Sequence, residues 1–555
     1  ERLYNKYLNA GMVNRDNIDI KNLKSNDYLI EIFGEYFEPD NDRISFKNLV
    51  NRMSFWMATG SGKSLLIVKL IVLLDYLIVN EEIPDNDLLF LAPSNEIIDQ
   101  FKGLVAEYNG YDLNNKKIEL VSLKKFDESK QFGNIGKQQK TDFGNIRVFY
   151  YRSDNFRDLG NDGDLDAFIN YRNYESDGKW YILLDEAHKG GKESSRQQAY
   201  FSIMARNGFL FNFSASFTDS SDVMTTVYDF KLKNFVMAGY GKNVYVSKYD
   251  YEPFKDNDSD FSNEEKRKIV LKSLITLCML KKHAEKVKQI DKTFYHSPLM
   301  MTLVDSVNME DSDLELFFKE LEDIANRQYD DELFLQAKEE LLQEFSIKKT
   351  YDIGEEKLKI KTDVLKSITP DDLLKYIFNS DSKLGGKLEV IVSSDNKELA
   401  FRLKSSSMTS SPFALIKIGD VNTWIREKLK GYHFVGTFEN KNYFRNLDKS
   451  GDINILMGSR AFYEGWDSKR PNVLNYINIG TSINAVKYIT QSLGRGVRIE
   501  PIPNKRTRLK NILQTDICIS GKTREKFKSI EGYVSPLETL FVFGTNKNAI
   551  KQVIN

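Results

Sequence analysis

The stretch Ala58-Thr59-Gly60-Ser61-Gly62-Lys63-Ser64 constrains this chain more than any other. It follows a short apolar run, residues 53–57, that predicts a strand, and it precedes an apolar stretch, residues 65–79, that predicts a buried helix. Strand, glycine loop, Lys-Ser and helix, in that order, is the context of a phosphate-binding loop. The chemistry asks for these residue types. Gly60 and Gly62 let backbone N–H groups turn toward phosphate oxygens where a Cβ would obstruct. Thr59 and Ser61 complete the loop, and the helix N-terminus adds partial positive charge. Lys63 can reach the β- and γ-phosphates as a point charge, and the Ser64 hydroxyl can ligate Mg²⁺, which prefers hard oxygen ligands. A plain glycine turn before a core helix is the blander reading of the same residues. ATP and Mg²⁺ are therefore the expected ligands.

The rest of the first half supplies further parts. Residues 88–92, 118–123, 146–151, 181–184 and 209–213 are short apolar runs separated by helical lengths, which predicts a parallel α/β sheet. In such a sheet functional groups sit at the C-terminal strand ends. Asp185-Glu186-Ala187-His188 ends one predicted strand and Ser214-Ala215-Ser216 another. An Asp-Glu pair after a strand is by itself a common solvated strand end. Downstream of a phosphate-binding loop in the same sheet, Asp185 can hold Mg²⁺, Glu186 can orient or deprotonate a water, and His188 can sense the γ-phosphate. Ser214, Ser216 and Thr218 are placed to relay the state of the nucleotide.

The second half repeats the sheet pattern at residues 294–304, 388–392, 413–418, 453–457, 473–479 and 540–544. Residues 310–385 interrupt it with charged, helically spaced segments, read as an insertion that is either a solvated hairpin or an arm for a partner. Two constellations stand out. Residues 458–467, Gly-Ser-Arg-Ala-Phe-Tyr-Glu-Gly-Trp-Asp, form a glycine-flanked loop suited to contact both nucleotide and polynucleotide through groups such as Gly465 and Asp467. Gln491-Ser492-Leu493-Gly494-Arg495-Gly496-Val497-Arg498 lies on or ends a helix, and Arg495 and Arg498, three apart, share a face. Aimed across a cleft they can neutralise charge on a transferring phosphoryl group; a surface ion-pair role is the alternative.

Bulk properties narrow the class without choosing the ligand. A chain of 555 residues with 41% hydrophobic and 29% charged content reads as a soluble protein of two or three domains. A formal net charge of −1 announces no global field for nucleic acid, although a local groove can be basic on a neutral protein. Cys278 and Cys518, far apart in sequence, exclude a cysteine-based metal cluster and predict a reduced, cytoplasmic protein. No apolar run reaches membrane-spanning length.

Taken in order, these blocks resemble the superfamily 2 helicases. Ala58–Ser64 looks like motif I, and Leu91-Ala92-Pro93-Ser94 with Gln100 like motif Ia. Asp185–His188 looks like a DEAH-type motif II, Ser214-Ala215-Ser216 like motif III, and residues 294–304 like motif IV. Residues 458–467 look like motif V and Gln491–Arg498 like motif VI. Glu464-Gly465-Trp466-Asp467, with the following Arg-Pro-Asn-Val, resembles the Res (motor–nuclease) subunit of type III restriction enzymes. That resemblance implies two tandem RecA-like parallel-sheet lobes of the P-loop NTPase kind, with ATP between them and a helical insertion in the second. It also implies translocation along duplex DNA in a prokaryotic cytoplasm, a modification methyltransferase as partner, and a nuclease beyond Asn555. It assigns Thr59, Gly60, Ser61, Gly62, Lys63, Ser64, His188, Gly465, Asp467 and Gln491 to nucleotide, Ser64 and Asp185 to Mg²⁺, and Asp185, Glu186, Arg495 and Arg498 to catalysis, with Arg498 as the arginine finger.

Two departures stand out. Motif VI reads Gly-Arg-Gly-Val-Arg rather than the commoner Gly-Arg-x-Gly-Arg, and no glutamine precedes Gln100 to read the adenine edge. The expected domains are a lead-in over 1–50, a first lobe over 51–240, a linker and helix over 241–287, a second lobe over 288–545 with its insertion near 310–385, and the start of a further region over 546–555. An RNA helicase uses the same core, and a nucleotide-gated scaffold in a defence complex remains a third reading.

Overall fold

The computed structural model describes residues 5–6, 17–19, 27–37, 43–45, 48, 50–111, 116–126, 144–160, 164–165, 167–187, 192–217, 220–250, 263–304, 313–348, 350–355, 357–358, 360, 362–381, 383–392, 398–405, 409–417, 421–436, 443–444, 446–458, 468–477, 479, 482–515, 519–544, 550 and 553. The chain divides into two units, Glu1–Lys231 and Leu232–Asn555.

The first unit is built on seven strands: β1 Arg52–Met57, β2 Asp87–Ala92, β3 Ile118–Ser122, β4 Ile146–Arg152, β5 Trp180–Asp185, β6 Phe209–Ser214 and β7 Thr226–Phe230. They lie in the order β7-β1-β6-β5-β2-β4-β3. Every neighbouring pair is parallel. Side chains of β5 are buried along its whole length, as a strand covered on both faces requires. Helix α1, Asp27–Tyr36, belongs to this unit, because Glu35 accepts two hydrogen bonds from Arg172 and Tyr36 lies under Arg206. Helices α2, Lys63–Val79, and α3, Asn95–Tyr111, follow β1 and β2, and α4, Lys192–Met204, follows β5. The expected buried helix is α2, but only one side of it is buried. Ile67, Val68, Ile71 and Leu74 are in the core, whereas Leu65 and Leu73 are each 50% exposed.

In the second unit the chain runs through α6, Leu232–Met237 (α5 being Ser220–Met224 of the first unit), into β8, Asn243–Asp250, and α7, Asn263–Ile290. Within residues 241–287, where a linker and helix are expected, β8 is an edge strand of the second sheet and the helix is α7, which buries Leu271, Leu274, Ile275 and Cys278 in the core. The remaining strands are β9 Leu299–Val304, β10 Lys387–Val392, β11 Glu398–Lys404, β12 Ala414–Lys417, β13 His433–Gly436, β14 Ile455–Gly458, β15 Pro471–Ile477 and β16 Thr539–Gly544. The nine strands run β8-β16-β15-β9-β14-β12-β11-β10-β13. The sheet is largely parallel, and β11 alone opposes both of its neighbours.

The helices expected as an insertion are present, α8 at Asp313–Ala325 and α9 at Asp331–Ile347. They are core elements rather than an arm. Leu314, Phe317, Phe318, Leu321 and Ile324 form a buried stripe at helical spacing. Glu344 of α9, itself buried, accepts hydrogen bonds from Tyr245 and Ser247 of β8.

Candidate active site in the first unit

The loop after β1 turns through two residues that only glycine adopts without strain. Gly60 has φ 85° and Gly62 φ 96°. Gly62 is also the N-cap of α2 and, having no side chain, places no capping acceptor of its own over the first turn. An ideal Cβ on Gly62 would meet nothing within 4 Å, so the requirement there is conformational rather than steric. The Ala58 amide donates to Phe230 at 2.9 Å and the Ser61 amide to Ala58 at 3.1 Å, which fixes both ends of the turn. Thr59 is buried, and Lys63 and Ser64 open the helix.

Parallel pairing brings the second block to the same edge. Phe213 of β6 is in register with Asp185 of β5, and Ser214 with Trp56 of β1. Lys63 and the adjacent pair Asp185-Glu186, more than 120 positions apart in sequence, therefore converge. Lys63 Nζ donates to Glu186 Oε1 at 2.6 Å and lies 3.8 Å from Asp185 Oδ1. The Lys63 and Asp185 side chains are 7% and 6% exposed, and Glu186 18%. Glu186 has φ 52°, a left-handed backbone that a side-chain-bearing residue rarely adopts. Its amide donates to Asp185 Oδ1 at 2.9 Å, and the Ala187 amide to Phe213 at 3.0 Å, so the turn after β5 is held from both sides. Burial pushes the Asp185 carboxyl upward, against the pull of Lys63 and with the help of Glu186.

The third block is tied in as well. Trp56 Nε1 donates to the Ala215 carbonyl at 3.0 Å, and the Ser216 amide to Ser214 Oγ at 3.0 Å. Sequence reasoning missed what lies beneath it. Asp222 of α5, 5% exposed, accepts from Asn212 Nδ2 at 2.7 Å and from Ser54 at 3.4 Å, with Arg52 at 4.0 Å. A polar face on the two central strands was the available signal: Arg52, Ser54, Asn212 and Ser214 alternate with apolar residues.

The residues present suit a nucleotide with a divalent cation. Ser61 Oγ is buried with no hydrogen-bond partner, two left-handed glycines open the loop, and a hydroxyl at Ser64 and a carboxylate at Asp185 are hard oxygen donors.

In the second unit, α10, Ile483–Gly496, carries the motif VI block. Gln491, Arg495 and Arg498 are half-buried. Gly496 has a packing reason, since a Cβ there would come within 2.8 Å of Leu540 Cδ2. His188, Thr218, Gly465 and Asp467 lie outside the described residues.

A phosphate-binding loop, a helix opened by Lys-Ser and an Asp-Glu pair on another parallel strand of the same sheet make up the arrangement of a P-loop nucleotide site. Residues 27–219 match the family model of the type III restriction enzyme, res subunit, so the first unit carries a ResIII domain. Among solved structures, S. cerevisiae Dbp5 bound to RNA and ADP BeF3 is 13% identical over 97% of this chain and 95% of that one, with a TM-score of 0.31. Mycobacterium smegmatis helicase Lhr bound to ssDNA and AMP-PNP is 10% identical over 84% of this chain and 45% of that one, with a TM-score of 0.29. No curated protein matches the sequence. No helix among the described residues is long and apolar enough to cross a membrane.

Proposed function

We infer that this chain is an ATP-driven DNA translocase, the Res-like motor subunit of a type III-like restriction or DNA-defence system. The observation that carries the reading is the convergence of Lys63, Asp185 and Glu186 at one strand edge. Lys63 and the loop amides hold the phosphates, with Thr59, Gly60, Ser61 and Gly62 shaping the cradle. Ser64 and Asp185 are the residues that would hold Mg²⁺, which neutralises charge on the β- and γ-phosphates when bound. Glu186 is the base that orients and deprotonates the attacking water. The contact at 2.6 Å gives Lys63 two alternative partners, the carboxylate and a phosphate, so binding of nucleotide releases Glu186 for chemistry.

Arg495 and Arg498 stabilise charge on the transferring phosphoryl group, with Arg498 as the finger. His188, Gly465, Asp467 and Gln491 complete the contacts with nucleotide. Ser214 and Ser216, held to β1 through Trp56, pass the state of the site to the polynucleotide. DNA is gripped through its phosphates, so binding falls with salt and is largely independent of sequence. A methyltransferase partner supplies sequence recognition.

The test is steady-state ATP hydrolysis with no nucleic acid, duplex DNA, single-stranded DNA and RNA, each alongside Lys63→Ala. Stimulation by duplex DNA that the variant loses is the expected result. Stimulation by RNA alone overturns the DNA assignment in favour of an RNA helicase. ATP binding without stimulated turnover favours a nucleotide-gated scaffold.

A further inference from the structure

The chain enters its second unit through α6 and residues 238–242, and this entry stretch is held chiefly by residues at and after motif VI. The Lys242 amide donates to the Val497 carbonyl at 2.7 Å, and Gly241 pairs with Arg498 in an isolated antiparallel bridge. The Gly239 carbonyl accepts from the Arg508 amide at 2.8 Å and from Thr507 Oγ1 at 2.9 Å. Asn511 Nδ2 donates to the Ala238 carbonyl at 3.0 Å. The Arg508 guanidinium, 4% exposed, donates to the Val236 carbonyl at 3.0 Å and to the Asn243 side chain, and lies 3.6 Å from Glu355.

Gly239 shows how close the approach is. Its φ is +85°, and a Cβ there would come within 2.2 Å of the Asn511 amide. Hydrogen bonds to main-chain carbonyls fix the path of the backbone itself, and a buried guanidinium with several acceptors holds them together.

A connection between two units needs none of this. Most such connections are exposed and cross few contacts. Here the first residues past Lys231 are bonded to the chain at Arg498 and to the ten or so residues after it. A displacement of the entry stretch therefore reaches Arg498 directly through the backbone, as it reaches the sheet through Lys242 and β8.

We propose that Thr507, Arg508 and Asn511 are positioning residues for motif VI: they lock the entry stretch 236–243 to Arg498 so that the two move as one piece. Arg498 then sits correctly for the phosphoryl group only when the entry stretch is seated. The inference rests on the reading of Arg498 as an arginine finger.

A double-mutant cycle on ATP hydrolysis tests it. Thr507→Val with Asn511→Ala removes two ties at half-buried positions and leaves the buried guanidinium in place. The expected result is a fall in kcat of about tenfold with an unchanged KM for ATP and an unchanged melting temperature, since small misplacement of a charge-stabilising group is costly. In an Arg498→Ala background the same pair costs nothing further. Arg508→Gln, provided it folds, gives the same pattern. A pair variant with parental kcat overturns the proposal, as does a pair that costs the same factor in both backgrounds. Parental turnover by Arg498→Ala alone is a different failure: it removes the motif VI reading, and the clamp's role with it.

Discussion

Lys63 in the first unit and Lys242 in the second are both buried, at 7% and 2% exposure, yet their partners differ in kind. Lys63 faces the carboxylates of Asp185 and Glu186, which belong to side chains and, in the function proposed above, give way to a phosphate. Lys242 donates to the carbonyls of Lys469 and Pro471, which are main chain and cannot leave. Arg470, between those two residues, does the same on a larger scale, donating to the carbonyls of Ser297, Leu447, Gly451 and Ile453. A buried basic side chain among carboxylates is suited to chemistry, and one among main-chain carbonyls is a rivet.

The largest expected effect lies at the poised site. Lys63→Ala should lower ATP hydrolysis by at least about a hundredfold, because the phosphates lose a fixed positive charge inside a water-poor site. Steady-state rates check it, and a variant with parental turnover breaks the comparison at once. Glu186→Gln should lower turnover by about 10²-fold or more while still binding ATP, several-fold more tightly than the parent, because Lys63 loses the closer of its two carboxylate partners. Equilibrium binding of labelled ATP measures this; weaker binding would mean that the Lys63–Glu186 contact does not compete with nucleotide.

The rivets should show up in stability instead. Arg470→Met leaves buried carbonyls unsatisfied and should cost about 3 kcal/mol in denaturant unfolding of the second unit. The smallest effect sharpens the comparison through pH. Burial pushes the Lys242 ammonium down to about 7 from its ordinary value of 10.5. Between those values the folded chain binds fewer protons at this site than the unfolded chain. Stability contributed here therefore rises as pH climbs from about 7 and is absent below it. The parent should gain on Lys242→Met by up to about 1.4 kcal/mol per pH unit in that window, measured by urea unfolding at about pH 7 and about pH 9. A flat difference would show that Lys242 stays charged when folded.

Much of this was legible in the sequence because short apolar runs with functional residues at their ends announce parallel strands. All six strands expected in the first unit are present, and Asp185-Glu186 lies at the strand end that the pattern gave it. The helices at 313–347 were visible from their spacing, but spacing cannot say what a helix packs against; Phe318 meets Phe401 and Trp424 in the core. Strand β11, Glu-Leu-Ala-Phe-Arg-Leu-Lys, was missed because its charged residues break an apolar run, and its reversal shows only in the register with β10 and β12. The same holds for β8, whose Tyr, Ser and Lys residues resemble a polar connection until Glu344 is seen to accept from Tyr245 and Ser247. The pairing of Lys63 with Glu186 was out of reach for another reason. Motifs name the groups that meet a ligand, whereas the partners those groups hold in one another depend on which strands are neighbours.

Trp56 gives the first unit a built-in optical reporter. The chain has four tryptophans; Trp180 and Trp424 are buried in the cores, and Trp466 lies outside the described residues. Trp56 is half-buried on the strand that leads into the phosphate loop, its indole N–H on the Ala215 carbonyl and the Lys231 ammonium 3.8 Å from its ring centre. Emission from an indole responds to a nearby cation and to the loss of its hydrogen bond. A shift of Ser214-Ala215-Ser216 against the phosphate loop should therefore change tryptophan fluorescence without any attached label, and Trp56→Phe should silence that signal, so nucleotide binding and its relay could be followed in real time in a stopped-flow cell.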